Sequence, residues 1–337
     1  MSTSSATLPI GITMGCPAGI GPEIIIKYFQ EPPAAQVSAV VIGDIGVLEK
    51  TAELLGIPSS MHAWVPGENL HKDHVNVMNC SALSDNLTRP GRPTLASSKA
   101  MAAYVDRAIS LCLDGHLAGI ATCPISKTAL NNAGYDFPGH TELLAERTGS
   151  SQVAMMMAGN KLRVTLATIH CSLAEIPSLL SKQKLVELIV LTESSLRDDF
   201  NLPHPRIGVA GLNPHGGEDC LFGSEEQNII GPAVQIAADS GIDVSGPYPP
   251  DSVFHKAVSG SFDAVVCMYH DQGLIPFKLL HFTDGVNVTL GLPIVRTSVD
   301  HGTAYDIAGK GVADCSSLTA AVAMASLISG NRRNRKE

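Results

Sequence analysis

Charge and aromatic rings are scarce in this chain of 337 residues: charged side chains make up 16%, aromatic ones 4%, and there is a single Trp. With 45% hydrophobic residues, so little charge excludes an extended, solvated chain and supplies material for a sizeable core. The formal net charge of -9 argues against a non-specific nucleic-acid or anionic-membrane surface, while leaving room for a local basic pocket. No CxxC pair occurs among the eight cysteines, which in an intracellular chain of this size read as buried thiols rather than disulfides. Cys267 and His270 do form a CxxH, but residues three apart on a strand face opposite ways, and the same alternation separates Cys171 from His170. The opening MSTSSATLPIGITMG lacks the basic and long apolar parts of a secretory signal, and LTAAVAMASLIS at 318–329 is too short to span a bilayer. The expectation is a cytoplasmic protein with no nucleic-acid and no membrane partner. The glycine-rich turn GCPAGIGPE, Gly15 to Glu23, lacks the GxGxxG spacing, so a Rossmann fingerprint is absent.

What the chain does have is alternation. PIGITM is followed by EIIIKYFQ, SAVVIG by VLEKTAELL, and the long ASSKAMAAYVDRAISLCL by AGIATCP. Strand-like runs alternating with helix-like ones predict the α/β class, with helices on both faces of a parallel or mixed sheet. The length favours two domains or one large elaborated one. Residues 57–95 read as irregular strands and loops, and the tail NRRNRKE as the solvated end of the last helix.

Three apolar runs end on histidine: LRVTLATIH at His170, RIGVAGLNPHGGED with His215, and DAVVCMYHDQG with His270. One strand-end histidine is ordinarily bonded to backbone. Three at the same end of successive strands suit a catalytic divalent metal, since neutral imidazoles bind it and a three-ligand set leaves positions open. Open α/β sheets also gather ligands at the carboxyl ends of their strands. In FPGHTELLAER, His140 and Thr141 precede a helix, where Thr141 either caps it or leaves N–H groups for an anion. Lys278, Asn287 and Arg296 suit a phosphate or carboxylate, with surface solvation the alternative. Asp251 in PPDSVF is a candidate for a general base, or else a helix cap.

GIGPE at 19–23 and HGTAYDIAGKGVAD at 301–314 are similar to signatures of the metal-dependent β-decarboxylating dehydrogenases of the isocitrate and isopropylmalate type. More closely, TMGCPAGIGPE, PGHTE, ATIH, GLNPHGGE, MYHDQG and GVNVTLGLPIVRTSVDHGTA resemble, in order and over nearly the whole chain, the 4-hydroxythreonine-4-phosphate dehydrogenase family of pyridoxal phosphate biosynthesis. The resemblance implies a two-domain α/β/α sandwich of the isocitrate/isopropylmalate dehydrogenase-like type, not a Rossmann fold. It implies a discontinuous cofactor-side domain, 1–125 plus 275–337, and a second domain, 126–274, for dimerisation, metal and substrate. It also implies a homodimer whose site lies between domains and subunits.

Carried over by motif, His170, His215 and His270 become ligands, drawn from both subunits, of one divalent ion (Zn, Mg, Co or Mn). His140, Thr141, Lys278, Asn287 and Arg296 become contacts to a phosphorylated substrate, and Gly19, Gly21, His301 and Asp306 contacts to the cofactor. Asp306 matches the acidic residue expected on the adenosine ribose, which favours NAD over NADP. Two positions depart from the relatives: Cys16 replaces the usual acidic residue of the glycine turn, and Asp314 stands where the isopropylmalate type has Asn. The implied reaction is NAD-dependent oxidation of a 3-hydroxyl followed by decarboxylation. TMGCPAGIGPEIIIK, LFGSEE and PPDSVF look most like the branch acting on 4-phosphorylated four-carbon sugar acids. The expected substrate is therefore 4-phospho-D-threonate (or D-erythronate), giving dihydroxyacetone phosphate and CO2. The alternative is 4-hydroxy-L-threonine 4-phosphate. Further alternatives are a terephthalate dihydrodiol dehydrogenase, a phosphate acyltransferase-like enzyme and an inactive metabolite-binding protein.

Overall fold

The computed structural model describes residues 8–30, 37–83, 89–134, 137 and 139–335. The chain begins with β1 (Ile10–Thr13), α1 (Gly21–Gln30), β2 (Ala39–Gly43), α2 (Ile45–Leu55), β3 (Met61–Ala63), β4 (Val75–Asn79), α3 (Leu95–Leu113), β5 (Gly119–Thr122), α4 (Lys127–Asn132) and α5 (His140–Thr148). Then come β6 (Ala154–Ala158), β7 (Arg163–Leu166), α6 (Ile176–Leu179), α7 (Lys182–Asp198), β8 (Ile207–Ala210), α8 (Gly231–Asp239), β9 (Val244–Tyr248), α9 (Pro250–Val258), β10 (Ala264–Cys267), α10 (His270–Leu280) and β11 (Val286–Leu290). β12 (Arg296–Ser298) and α11 (Ser316–Asn334) close it. The alternation read from the sequence is thus the alternation of the fold, and the eight cysteines are free thiols.

The chain divides into two compact units, 1–151 with 292–329, and 152–291 with 330–337. Against the expected boundaries near 125 and 275, residues 126–151 group with the first unit because α4 and α5 pack on α3. Residues 275–291 group with the second because β11 pairs antiparallel with β6.

In the first unit the strands run β3-β4-β2-β1-β5-β12, all parallel. Every residue of β1, β2 and β5 is buried. Burial of both faces is what helices on either side impose, and it explains why these strands read as apolar runs broken only by the threonines that end β1 and β5. In the second unit the order is β11-β6-β7-β10-β8-β9. There β6 is antiparallel to β7 and β11, while β7, β10, β8 and β9 are mutually parallel. Helix ends follow their local chemistry: Asp44 caps α2, which stops at Gly56 with φ 64°, and Thr94 forms a capping box with Ser97 at the start of α3. The basic tail is not simply solvated. In the second unit Arg332 grips the buried Asp199 carboxylate through Nε and Nη2, the latter at 2.9 Å.

The glycine turn is built for close backbone approach. A Cβ at Gly21 would collide with the Met14 carbonyl oxygen, and one at Gly19 would lie 2.9 Å from the Thr303 carbonyl oxygen. The segment 301–314 therefore lies directly on the turn, and Glu23, 1% exposed, holds it there. Its carboxylate accepts from the N–H of Ala313 at 2.8 Å and of Gly311 at 3.3 Å, and from Lys27 Nζ at 3.1 Å. Lys27 in turn donates to the carbonyls of Gly311 and Ala313. Removing the carboxylate orphans a buried N–H and leaves the lysine against carbonyls alone. Glu23→Ala should therefore cost about 3 kcal/mol, on the scale of hydrogen bonds to a charged group. Urea denaturation should show a lowered midpoint at unchanged slope; an unaltered midpoint would mean that Glu23 does not clamp the two segments.

Candidate active site

In the second unit β7, β10 and β8 lie side by side and parallel, so their carboxyl ends meet along one edge. His170, His270 and His215 follow these three strands in turn. The rings of His170 and His270 are 6.2 Å apart between centroids, and that of His215 lies 6.1 Å from Phe222. His170 and His215 are exposed and His270 is partly so, with its Nδ1 2.7 Å from Asp271 Oδ1. These are accessible imidazoles at strand ends, a donor set suited to a catalytic ion. Among the described residues, however, the three do not bring their ligand atoms within 4.8 Å of one another in a single chain. Cys267 is buried in β10, so the CxxH does not act as a ligand pair.

Buried side chains stitch these strand ends together. Ala167 N–H and Thr168 Oγ1 donate to the carbonyls of Cys267 and Met268, each at 2.8 Å, which ties the β7 end to the β10 end. Gln272, 6% exposed, ties β10 to β8: its Oε1 accepts from Met268 N–H at 2.6 Å and its Nε2 donates to the Gly211 carbonyl at 2.7 Å. Glu226, also 6% exposed, fixes the way out of β8. Its Oε1 accepts from the N–H of Leu212 and of Asn213, both at 2.7 Å, and its Oε2 from Asn213 Nδ2 at 2.9 Å. Gly273 lets α10 press onto the sheet, because a Cβ there would lie 2.9 Å from Leu166 Cδ2 and 3.1 Å from Cys267 Sγ. Neither Gln272 nor Glu226 had a role in the sequence reading. The signal was there as an amide and a carboxylate, inside MYHDQG and LFGSEE, beside glycine-rich strand ends in an otherwise apolar region.

Beyond Asn213 the backbone runs left-handed for six residues, with φ of 54° at His215, 68° at Gly216, 84° at Gly217, 41° at Glu218, 52° at Asp219 and 72° at Cys220. Each non-glycine residue there is disfavoured by roughly 1–2 kcal/mol. Such strain persists only where the surroundings over-determine it, and it concentrates at functional sites. Helix α9 packs against this turn. Asp251 lies exposed in its first turn, but Pro249 occupies the cap position, so Asp251 is not the cap. Lys278 sits in the last turn of α10. Asn287 lies on β11, and its Oδ1 is buried with no hydrogen-bond partner among the described residues.

The remaining predicted residues belong to the first unit. Arg296 on β12 is 3% exposed and donates from Nη2 to Thr122 Oγ1 at 2.9 Å. Burial lowers its pKa to about 10, opposed by the nearby charge of Glu142. Helix α5 carries that glutamate beside Thr141, so PGHTE and the arginine strand are neighbours. The helix begins at His140 with Gly139 at the cap position; Thr141 is therefore inside the first turn and does not cap it. The side chain of His140 lies outside the described part of the structure. His301 and Asp306 are exposed on the segment that covers the glycine turn. Cys16 is buried, where it accepts from the Tyr305 hydroxyl at 3.3 Å, and burial pushes its thiol pKa up. Asp314 accepts from Ser316 N–H and Oγ at the start of α11, and these bonds hold its carboxyl below the usual range.

If Glu226 sets the exit of β8, Glu226→Ala should destabilise the protein by about 3 kcal/mol, because two backbone N–H groups lose a charged acceptor. Glu226→Gln should cost less, since an amide oxygen can still serve both N–H groups while its NH2 opposes Asn213 Nδ2. Denaturation at fixed protein concentration measures both. Equal stability of all three proteins would remove Glu226 from this role.

The family model described as pyridoxal phosphate biosynthetic protein PdxA matches residues 35–325. The chain is 53% identical over 334 residues to the 4-hydroxythreonine-4-phosphate dehydrogenase of Desulforapulum autotrophicum, with 97% of this chain and 98% of that protein covered. The crystal structure of 4-hydroxythreonine-4-phosphate dehydrogenase from Klebsiella pneumoniae is 41% identical and superposes with a TM-score of 0.87, covering 96% of this chain and 100% of that one. A terephthalate 1,2-cis-dihydrodiol dehydrogenase structure from Burkholderia xenovorans is 28% identical, with a TM-score of 0.66 over 95% and 98% of the two chains. The relatives are dehydrogenases, the two-unit α/β fold is theirs, and this chain belongs to the PdxA family.

Proposed function

We propose that this chain is a 4-hydroxythreonine-4-phosphate dehydrogenase, a homodimer that oxidises the 3-hydroxyl of its substrate with NAD and then releases the carboxylate as CO2. The observation that carries this is the row of His170, His270 and His215 at the ends of adjacent parallel strands, in a chain 53% identical to a protein of that name. When bound, the divalent ion supplies Lewis acidity at the 3-hydroxyl and NAD supplies the hydride acceptor. Because one chain does not close a three-histidine cage, the ligand set is read as shared between two subunits, in keeping with the family resemblance. Zn, Mg, Co or Mn would all meet imidazole donors there. Asp251, exposed at the start of the helix that packs on the His215 turn, is the candidate to take the hydroxyl proton.

The phosphate is read as the partner of Arg296, aided by Lys278, His140, Thr141 and Asn287. A guanidinium with a pKa of about 10 stays charged at neutral pH despite its burial, and a doubly charged phosphate offsets what that burial costs. Gly19, Gly21, His301 and Asp306 are read as the cofactor contacts. As for the substrate, the sequence favoured 4-phospho-D-threonate, whereas relatives matched along nearly their whole length carry the 4-hydroxythreonine-4-phosphate name. They move the reading to the substrate with an ammonium at C2.

Metal-stripped protein given NAD should form NADH from 4-hydroxy-L-threonine 4-phosphate only after a divalent ion is restored. Its kcat/KM on that substrate should exceed that on 4-phospho-D-threonate. The reverse order would return the sugar-acid reading, and no NADH from either would sink the dehydrogenase. His215→Ala should match the stripped enzyme in activity while keeping its melting temperature, as expected where an open catalytic ion adds little to folding.

Arg296→Lys should lower kcat/KM about ten- to a hundredfold, because an ammonium lacks the planar fork that meets two phosphate oxygens. On unphosphorylated 4-hydroxythreonine the loss should shrink. Equal losses on both substrates would place Arg296 on another part of the substrate or in the fold.

A further inference from the structure

Far along the sheet order from the arginine strand, β3 forms the edge of the first unit, and its histidine meets two others on the loop that leads to β4. His62 Nε2 lies 3.1 Å and His71 Nε2 3.8 Å from the same oxygen, Glu68 Oε1. The rings of His62 and His71 stack at 3.8 Å with 27° between planes, and the ring of His74 stands edge-on, 5.7 Å from that of His71. One ligand atom from each of His62, Glu68 and His71 lies within 4.8 Å of the others, a grouping that no other such residues make among those described.

The loop that carries these groups is fixed from beneath by buried side chains. Trp64, 3% exposed, donates from Nε1 to the Glu68 carbonyl at 2.9 Å. Asn76, also 3% exposed, accepts from His71 N–H at 2.9 Å and donates to the carbonyls of His71 and His74 at 3.0 and 3.2 Å. The Glu68 carboxylate is held by Val65 N–H. The only Trp of the chain and a buried amide are thus spent on presenting two imidazoles and a carboxylate to solvent. Tetrahedral zinc with bonds of about 2.0–2.1 Å has ligand atoms roughly 3.3–3.4 Å apart, and the two measured separations fall on either side of that value.

We propose that His62, Glu68 and His71 form a second divalent-ion site of the zinc type, distinct from the strand-end histidines, with His74 as the next imidazole in reach. Two imidazoles and one carboxylate select zinc and its nitrogen-binding neighbours over magnesium or calcium, which prefer all-oxygen sets. A preformed loop spares the ion the entropic cost of ordering its ligands. Binding would clip β3 to the loop that leads from it to β4.

The test uses the full-length protein, stripped of metal and dialysed against low-micromolar Zn²⁺, with bound zinc counted by mass spectrometry. A His170→Ala/His270→Ala background removes the strand-end site. This protein should keep about one zinc per chain, lose it on adding His62→Ala and His71→Ala, and bind it at least about tenfold more weakly with Glu68→Gln. On the otherwise natural chain, His62→Ala/His71→Ala should leave the melting temperature of the stripped protein and its metal-restored NADH formation unchanged, which separates a lost ion site from a lost fold. Failure of the His170→Ala/His270→Ala protein to take up zinc, or uptake that ignores the loss of His62 and His71, overturns the site. Neither result depends on which substrate the enzyme oxidises.

Discussion

The strand-end histidines depend on a chain of buried hydrogen bonds that crosses three parallel strands. Backbone ladders stop where strands stop, so the groups just beyond them need partners from elsewhere. Here Thr168 joins the end of β7 to that of β10, Gln272 joins β10 to β8, and Glu226 takes the two N–H groups by which the chain leaves β8. Each tie is short and made by a buried side chain, and each acts on backbone within a few residues of an imidazole. The left-handed run from His215 to Cys220 is the local consequence. A turn that opposes ordinary backbone preference can be held only if its entrance is fixed, and the Glu226 carboxylate fixes it.

The first unit meets a different problem, that of holding charge inside an apolar body. Glu23 is surrounded by donors from the 311–313 segment and by Lys27, so its charge is satisfied within the unit. Arg296 is also buried, where it donates to Thr122 Oγ1, and burial lowers its pKa to about 10 while the nearby charge of Glu142 opposes the shift. A group kept charged under those conditions is suited to an anionic ligand. Of the two buried charges, Glu23 closes the fold on itself, and Arg296 is the one proposed above to meet the phosphate.

Much of this was legible in the sequence. Strands buried on both faces are predominantly apolar, so β1, β2, β5, β8 and β10 announce themselves, and a histidine just after such a run marks the carboxyl end of a strand. Local chemistry was less secure. Thr141 and Asp251 each have the side chain of a helix cap, but Gly139 and Pro249 hold the cap positions, because the chain direction before a helix is set by what packs around it. The basic tail reads as a solvated helix end until Arg332 is seen against Asp199, more than a hundred residues away in sequence. His62, His71 and His74 looked like part of an irregular stretch. Their spacing along the chain fits no metal motif, and it is a buried Trp and Asn that fold the loop to bring them together.

The sequence by itself determined the class of fold, the alternation of elements and the three strands that end in histidine, since these follow from burial periodicity and from residue types that one element can display. Its motifs, in their order, also determined the family. Tertiary structure alone decided which of those strands are neighbours, that Gln272 and Glu226 tie their ends, that Glu23 holds the glycine turn against a segment nearly three hundred residues further on, and that a single chain leaves its three histidines apart. The reason is physical: periodicity and propensity act over a few residues, whereas hydrogen-bond partners for buried groups are chosen by whatever the folded chain brings within three ångströms.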